Sequence, residues 1–136
     1  MASGLYTVRV GKNSPYCGPY ALAAVTGVTY AEACRKLKAL RRENRKHNVP
    51  KRIKAMWNEE MSALLGPGWV AVSGPRRTLG QFIKQNPTGT FVVQVTGHYL
   101  VLSDGYFIDN QTRRRRMAKN APRQRRMVKT FWGRLP

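Results

Sequence analysis

Three residues, far apart in the chain, have the types and the order of a thiol-based catalytic site. Cys17 opens an apolar run that predicts a helix, His98 opens an apolar β-rich run, and the pair Asp109-Asn110 follows on the next predicted strand. This is the chain order of a cysteine nucleophile, a histidine base and a polar group that orients the histidine. A thiol reacts as its thiolate, which a helix N-terminus and a nearby imidazole both favour. The pattern therefore predicts acyl transfer through Cys17.

Two parts of such a site are less clearly marked. Asp109 and Asn110 both lie within plausible reach of the imidazole but point to opposite faces of their strand, so only one of them can orient it. The backbone N–H of Cys17 suits one half of an oxyanion hole. A side-chain amide usually supplies the other half, and the candidates are Asn13, which is the nearest upstream of the cysteine, and Gln81 and Gln94.

Several short segments match, in order, the site motifs of one known family. They are Cys17-Gly18-Pro19 with Ala21-Leu22, Gly97-His98-Tyr99-Leu100-Val101-Leu102, Asp104-Gly105 and Phe107-Ile108-Asp109. Together they resemble the papain-like cysteine peptidases, most closely the C39-like branch, over residues 13–110. The resemblance implies a papain-like fold, a peptide or protein substrate, Cys17 as nucleophile, His98 as general base and Asp109 as orienting residue.

The chain departs from that family at two positions. Gly11 stands where the family has its oxyanion glutamine, and Asn110 stands where a proline usually follows the aspartate. Asn13 is the residue that could replace the missing glutamine. A papain-like use of Asn110 in place of Asp109 stays open as the alternative.

Periodicity and turn signals predict the elements that must position these residues. Helices are expected from Cys17 to about Val25, from Thr29 into the mid-forties behind a Thr29-Glu32 capping box, over residues 50–65, and over residues 78–85. Strands are expected over residues 5–10, 69–72, 90–96, 98–102 and 106–108, with Asp104-Gly105 as a hairpin turn. This order predicts an α+β fold, papain-like under the resemblance, with N-terminal helices packed on an antiparallel β-sheet.

The length and the cysteine content limit the organisation of the chain. With 136 residues there is room for one domain. We expect a peptidase domain at residues 1–112 and a basic C-terminal segment at residues 113–136, part of which could dock as a last strand. Only two cysteines occur, so a disulfide scaffold is excluded beyond a single bridge. That pairing is not expected, because Cys17 has the features of a nucleophile and Cys34 lies on the apolar stripe of the second helix. The cysteines and histidines show no paired ligand spacing, so neither a metal site nor a cofactor is predicted.

The charge is the strongest departure from an ordinary globular composition. Lys and Arg number 25 against 6 Asp and Glu, which gives a formal net charge of +19. Such an excess attracts polyanions, nucleic acid in particular. The candidate nucleic-acid contacts are Arg41, Arg42, Arg45, Lys46, Arg113, Arg114, Arg115, Arg116, Arg125 and Arg126. Phe131 and Trp132, within the basic segment, are the candidates for stacking on bases.

Two function hypotheses follow from these features. The first is a cysteine peptidase, or a related amide or acyl hydrolase, that uses a Cys-His-Asp triad close to nucleic acid. The second is a non-catalytic nucleic-acid-binding protein on a degenerate peptidase fold. No signal-peptide pattern and no apolar run of roughly 18 residues occurs, so we expect no membrane span and a cytoplasmic location. Small size and high basicity are typical of a virus or phage product, in the host cytoplasm or the virion.

Overall fold

The described residues form four helices and six strands. A computed structural model describes residues 5–8, 16–43, 55–112 and 114–134. In chain order they are α1 (Cys17–Thr26), α2 (Tyr30–Glu43), α3 (Asn58–Leu65), β1 (Trp69–Val72), α4 (Leu79–Gln85), β2 (Thr90–Val95), β3 (His98–Ser103), β4 (Tyr106–Ile108), β5 (Arg116–Met117), a 3₁₀ turn (Ala118–Asn120) and β6 (Val128–Arg134). The strands form one antiparallel sheet in the order β1-β6-β2-β3-β4-β5. The predicted α+β class is confirmed.

The sheet separates two hydrophobic cores. Because side chains alternate along a strand, Val92, Tyr99 and Val101 face the helices α1 to α3, together with the buried Trp132. The opposite face carries Val93, Val95, Leu100, Leu102 and Phe107, which pack against α4 and the C-terminal segment. Helix α1 lies against β3 and is buried from Gly18 to Val25. The start of α1 is therefore brought to one end of β3.

Local sequence signals explain where the helices begin and end. Pro19 falls in the first turn of α1, where a backbone N–H would have no helical partner, and Gly27, with φ 82°, is the C-cap that follows the last residue of α1. The Thr29 hydroxyl accepts a hydrogen bond of 3.1 Å from the Glu32 N–H at the start of α2. Helix α4 begins with a reciprocal capping box between Thr78 and Gln81. Within the described ranges, no helix combines the length and the apolarity needed to cross a bilayer.

Two tight turns fix the register of the central strands. Thr96-Gly97 joins β2 to β3, and Asp104-Gly105 joins β3 to β4, with Val95 paired to His98 and Ser103 to Tyr106. Positive φ angles occur at Gly97 (73°), Asp104 (48°) and Gly105 (84°). Two-residue turns of this kind match the twist of the strands that they join. The turn at Gly97 therefore sets His98 as the first residue of β3.

Two predicted elements are corrected by the structure. Residues 5–8 form no strand, because the Tyr6 N–H bonds the Ala24 carbonyl near the end of α1 at 2.8 Å, and residues 9–10 lie outside the described residues. Helix α3 begins at Asn58 and residues 55–57 are not helical, while residues 50–54 are likewise not described. Trp57 is the N-cap of α3, where its N–H donates to Glu60, and its side chain is 60% exposed.

The C-terminal segment is an internal part of the sheet. Strand β6 lies between β1 and β2, and the fully buried Trp132 donates from Nε1 to the Ser62 hydroxyl at 2.8 Å. Phe131 packs against Phe82 with 4.8 Å between ring centroids. Neither ring is free to stack on bases, so that expectation is wrong. The described part of residues 113–136 is built into the same sheet as residues 69–108.

Candidate active site

Cys17 is the first residue of α1, and two neighbouring segments fix this helix start. Tyr16, the N-cap, has no side-chain cap, but its backbone N–H donates to the Tyr30 hydroxyl of α2 at 2.8 Å. The segment before α3 packs closely on the next residue: a Cβ added at Gly18 would lie 2.6 Å from the Cβ of Met56. Cys17 thus lies at a helix N-terminus whose position is fixed by contacts with α2 and with the segment before α3. Backbone N–H groups at such a helix end favour negative charge.

His98 and Asp109 meet at the end of the β3–β4 hairpin. His98 is 6% exposed, and its Nε2 lies 2.7 Å from Oδ2 of Asp109. The register pairs Val101 with Ile108, so Asp109 continues on the same face of the hairpin as His98, and Asn110 points to the opposite face. Of the two candidate orienting residues, the structure brings Asp109 to the imidazole.

Asp109 is held as an anion by donors from its own loop. It is 1% exposed, and its Oδ1 accepts hydrogen bonds from the Gln111 N–H at 3.1 Å and from the Thr112 N–H and hydroxyl at 2.8 and 3.0 Å. Burial alone would raise its pKa, but the hydrogen bonds from His98 and Thr112 outweigh burial and lower the pKa of Asp109 to about 2. The carboxylate is therefore ionised wherever the imidazole titrates.

Cys17 and His98 shift each other toward their charged forms. Burial raises the pKa of the Cys17 thiol, but hydrogen bonds with the His98 side chain and the Tyr99 N–H outweigh it, and the net pKa is lowered. Burial lowers the pKa of His98, but its hydrogen bonds with Asp109 and Cys17 outweigh it, and the net pKa is raised. Since Asp109 occupies Nε2, Nδ1 is the ring nitrogen left for the thiol. These shifts favour a thiolate–imidazolium pair.

Cys34, on α2, is the contrasting thiol. It is half-buried and not bonded in a disulfide. Burial raises its pKa, and the hydrogen bond with the Tyr30 hydroxyl offsets this only in part. The two cysteines therefore differ in the direction in which the fold moves their acidity. Cys34 serves as an internal reference for the reactivity of Cys17.

The structure describes only some of the candidate donors for an oxyanion hole. The Cys17 N–H is one of the first backbone donors of α1, which have no partner within a helix. Asn13 lies outside the described residues. The Gln81 side chain is committed to its capping box, where it accepts the Thr78 N–H at 2.8 Å. Gln94 stands on β2 directly opposite Tyr99, at a position of the sheet face that carries α1.

One predicted nucleic-acid contact has a structural role instead. Arg41 donates from Nε to Glu60 Oε2 at 2.7 Å and from Nη2 to Oε1 at 3.1 Å, and its side chain is only 15% exposed. Its guanidinium joins α2 to α3. Because its guanidinium donates to Glu60 and to the Ala55 carbonyl, Arg41 is committed to contacts within the protein.

The remaining predicted basic contacts fall into three groups. Arg45, Lys46 and Arg113 lie outside the described residues. Arg42, Arg114, Arg116 and Arg125 are exposed. Arg115 lies over the Tyr106 ring at 4.9 Å, and Arg126 donates to the Thr96 carbonyl at 2.9 Å.

Several site residues were missed at the level of sequence. Thr112 could have been found, because an Asp side chain at the start of a turn commonly accepts backbone N–H groups from the residues just after it. Tyr30 and Arg123 gave no local signal, since each reaches the site from a distant element. They are visible only once the chain is folded.

The arrangement as a whole suits nucleophilic chemistry at a carbonyl carbon. It combines a thiol of lowered pKa, an imidazole of raised pKa and a buried carboxylate. In the part of the chain that the structure describes, no cluster of three or more His, Cys, Asp or Glu residues could hold a metal ion. Comparison of the chain with protein-family models, with curated proteins and with solved structures gave no match.

Proposed function

We propose that the protein is a cysteine peptidase, or a related amide or acyl hydrolase, of the papain-like type that its motifs resemble. The observation that carries the proposal is the buried His98 ring, which hydrogen-bonds Asp109 at 2.7 Å and contacts Cys17 at the N-terminus of α1. Residues from three separate elements meet there, and their side chains are a thiol, an imidazole and a carboxylate, as acyl transfer requires. A histidine whose only role was to fill the core would need neither a thiol nor a helix N-terminus beside it.

The geometry supports a two-step mechanism. The Cys17 thiolate attacks the carbonyl carbon, and the Cys17 N–H stabilises the resulting oxyanion. The His98 imidazolium gives its proton to the leaving amine as the C–N bond breaks, which leaves a thioester on Cys17. Water then attacks the thioester while His98 takes its proton, and the acid product and the thiol are released. Asp109 keeps the imidazole oriented throughout.

The two thiols of the chain provide the test. At about pH 6, iodoacetamide should label Cys17 at least roughly tenfold faster than Cys34, because each unit of pKa difference changes the thiolate fraction about tenfold. Peptide mass spectrometry of the full chain measures both rates in one sample. The Cys34→Ser variant should keep the fast label and His98→Asn should lose it. Equal labelling rates of the two cysteines would contradict the proposal.

A second observation supports a polyanion, such as nucleic acid, as partner. Arg114, Arg116 and Arg125 are exposed, and no Asp or Glu occurs in residues 110–136. Such a surface favours phosphate binding. Binding of this kind is compatible with the peptidase, and it is the whole function in the alternative, a non-catalytic nucleic-acid-binding protein on a degenerate peptidase fold. Either form suits a viral or phage product, including a virion component.

A further inference from the structure

Arg123 joins the basic C-terminal segment to the imidazole–carboxylate pair. Its Nη1 lies 3.8 Å from Oδ2 of Asp109, the same oxygen that lies 2.7 Å from His98 Nε2. The Arg123 side chain is 18% exposed, and its Nη2 also donates to the Gln111 side-chain oxygen. We propose, resting on the function proposed above, that Arg123 is a positioning residue that sets the proton affinity of His98 by sharing the Asp109 carboxylate.

The fold places Arg123 at a conformational cost. Its φ of 65° lies in the left-handed region, which is unfavourable for a residue other than glycine. The Arg126 N–H donates to the Arg123 carbonyl at 2.9 Å, and the Gln124 carbonyl accepts the Gly80 N–H of α4 at 2.9 Å. The Gln124 side chain also bonds the Lys119 and Ala121 carbonyls. The turn is thus anchored on both sides, which fixes Arg123 against Asp109.

The charges around His98 determine the direction of the effect. The imidazole faces Cys17 from α1 and Asp109 from the loop after β4, and the Arg123 guanidinium lies 3.8 Å from the carboxylate oxygen that contacts the imidazole. Arg126 lies nearby on the carbonyl of Thr96, in the turn before β3. The positive charge of the Arg123 guanidinium weakens the attraction between the Asp109 carboxylate and an imidazolium, and it also repels the imidazolium directly. When Arg123 is removed, the donors to Oδ1 stay in place and the full negative charge of the carboxylate acts on His98. The pKa of His98 should therefore rise.

A histidine titration tests the proposal without any substrate. The chain has only two histidines, so NMR of the full chain with labelled histidine resolves His98 from His47, and His47→Gln assigns them. Arg123→Gln should raise the pKa of His98 by about one unit, and Arg123→Lys should restore most of the original value. Arg76→Gln removes the same charge from an exposed position and should change nothing.

Two further variants separate the possible failures. If the Arg123→Gln titration coincides with that of the unmodified protein, or if Arg76→Gln shifts it equally, Arg123 is an ordinary surface ion pair and the inference is overturned. If Arg123→Gln does not fold, Gln111→Ala is the second variant, because it removes the hydrogen bond that holds the Arg123 guanidinium beside Asp109. The pKa of His98 should then rise by a smaller amount. No rise overturns the inference. Cys17→Ala should lower the pKa of His98, because it removes the thiolate. An unchanged pKa would show that no thiolate–imidazolium pair forms and would contradict the proposed function.

Discussion

At the scale of single residues, Asp109 does the most to define the site. It receives donors on both oxygens, from the backbone and side chain of its own loop on Oδ1 and from His98 on Oδ2, where Arg123 also forms an ion pair at 3.8 Å. An acceptor held in this way stays charged and cannot rotate to follow the imidazole. The imidazole therefore adapts to the carboxylate, which leaves its second nitrogen directed at the thiol.

Replacing Asp109 by asparagine should change both the site and the acid stability. Without the carboxylate charge, the pKa of His98 should fall by about one unit or more, and alkylation of Cys17 at acidic pH should slow. Because the folded-state pKa of Asp109 is lowered from 3.8 to about 2, its stabilisation is complete above about pH 4 and is lost as the pH falls toward 2. Urea denaturation should show a loss of about 2 kcal/mol over that window in the unmodified protein and not in Asp109→Asn.

The neighbouring residue provides the comparison for this prediction. Asn110→Ala should leave the titration of His98 and the slope of stability between pH 4 and 2 as in the unmodified protein. If Asn110→Ala lowered the pKa of His98 as much as Asp109→Asn, then Asn110 would be the orienting residue. The two substitutions together separate a charge effect from a general loosening of the loop.

The choice between Asp109 and Asn110 was already contained in the sequence. A two-residue turn at Asp104-Gly105 pairs Ser103 with Tyr106, and counting along both strands places Asp109 on the face of His98. Arg123 could not be found in this way. Its place depends on the anchoring of a distant turn to α4, which no local pattern records.

At the scale of elements, the contact between α1 and the segment before α3 limits which residue can follow Cys17. Alanine is normally better than glycine in a helix by about 1 kcal/mol. At position 18, however, the added Cβ would lie 2.6 Å from the Met56 Cβ, which is attached to the backbone and cannot rotate away. Overpacking of this kind costs about 1 to 3 kcal/mol, so it exceeds the gain in helix propensity.

We therefore expect Gly18→Ala to lower the free energy of unfolding and to slow the alkylation of Cys17, because either α1 or the Met56 segment must shift. Urea denaturation and the labelling rate measure the two effects. Gly68→Ala is the matched control, since a Cβ there would meet nothing within 4 Å. A Gly18→Ala variant as stable and as reactive as the unmodified protein would show that this contact does not fix the position of Cys17.

Local patterns predicted elements best where tertiary contacts agree with them. The helices α1, α2 and α4 and the β2 to β4 meander follow capping, periodicity and turn signals. The start of α3 does not follow such signals, because residues 55–57 are held by contacts with other elements. The Tyr99 hydroxyl of β3, for example, donates to the Met56 carbonyl at 3.0 Å. The insertion of β6 between β1 and β2 pairs strands distant in sequence, which periodicity cannot specify.

At the scale of the whole molecule, several of the few acids serve internal contacts rather than balancing the surface. Glu60 binds Arg41, Asp109 binds His98, and Asp104 accepts the Gly89 N–H at 2.8 Å. Apart from Arg123, the Lys and Arg residues in 114–134 are exposed, and no Asp or Glu occurs in this stretch. Of the 25 Lys and Arg residues, 9 lie in this segment, which also reaches the candidate active site through Arg123.

The salt dependence of binding distinguishes a defined basic surface from diffuse charge. Binding of a labelled DNA duplex, followed by fluorescence anisotropy over a salt series, should weaken with a slope of about −0.9 per phosphate contacted. Changing Arg114, Arg116 and Arg125 together to glutamine should make the slope shallower by roughly 2 to 3. The matched control changes three exposed cations elsewhere to glutamine: Lys36, Arg76 and Lys84. An equal loss of affinity in the control would mean that net charge alone binds DNA. A loss confined to the first variant assigns binding to the C-terminal segment. Cys17→Ser should bind DNA as tightly as the unmodified protein.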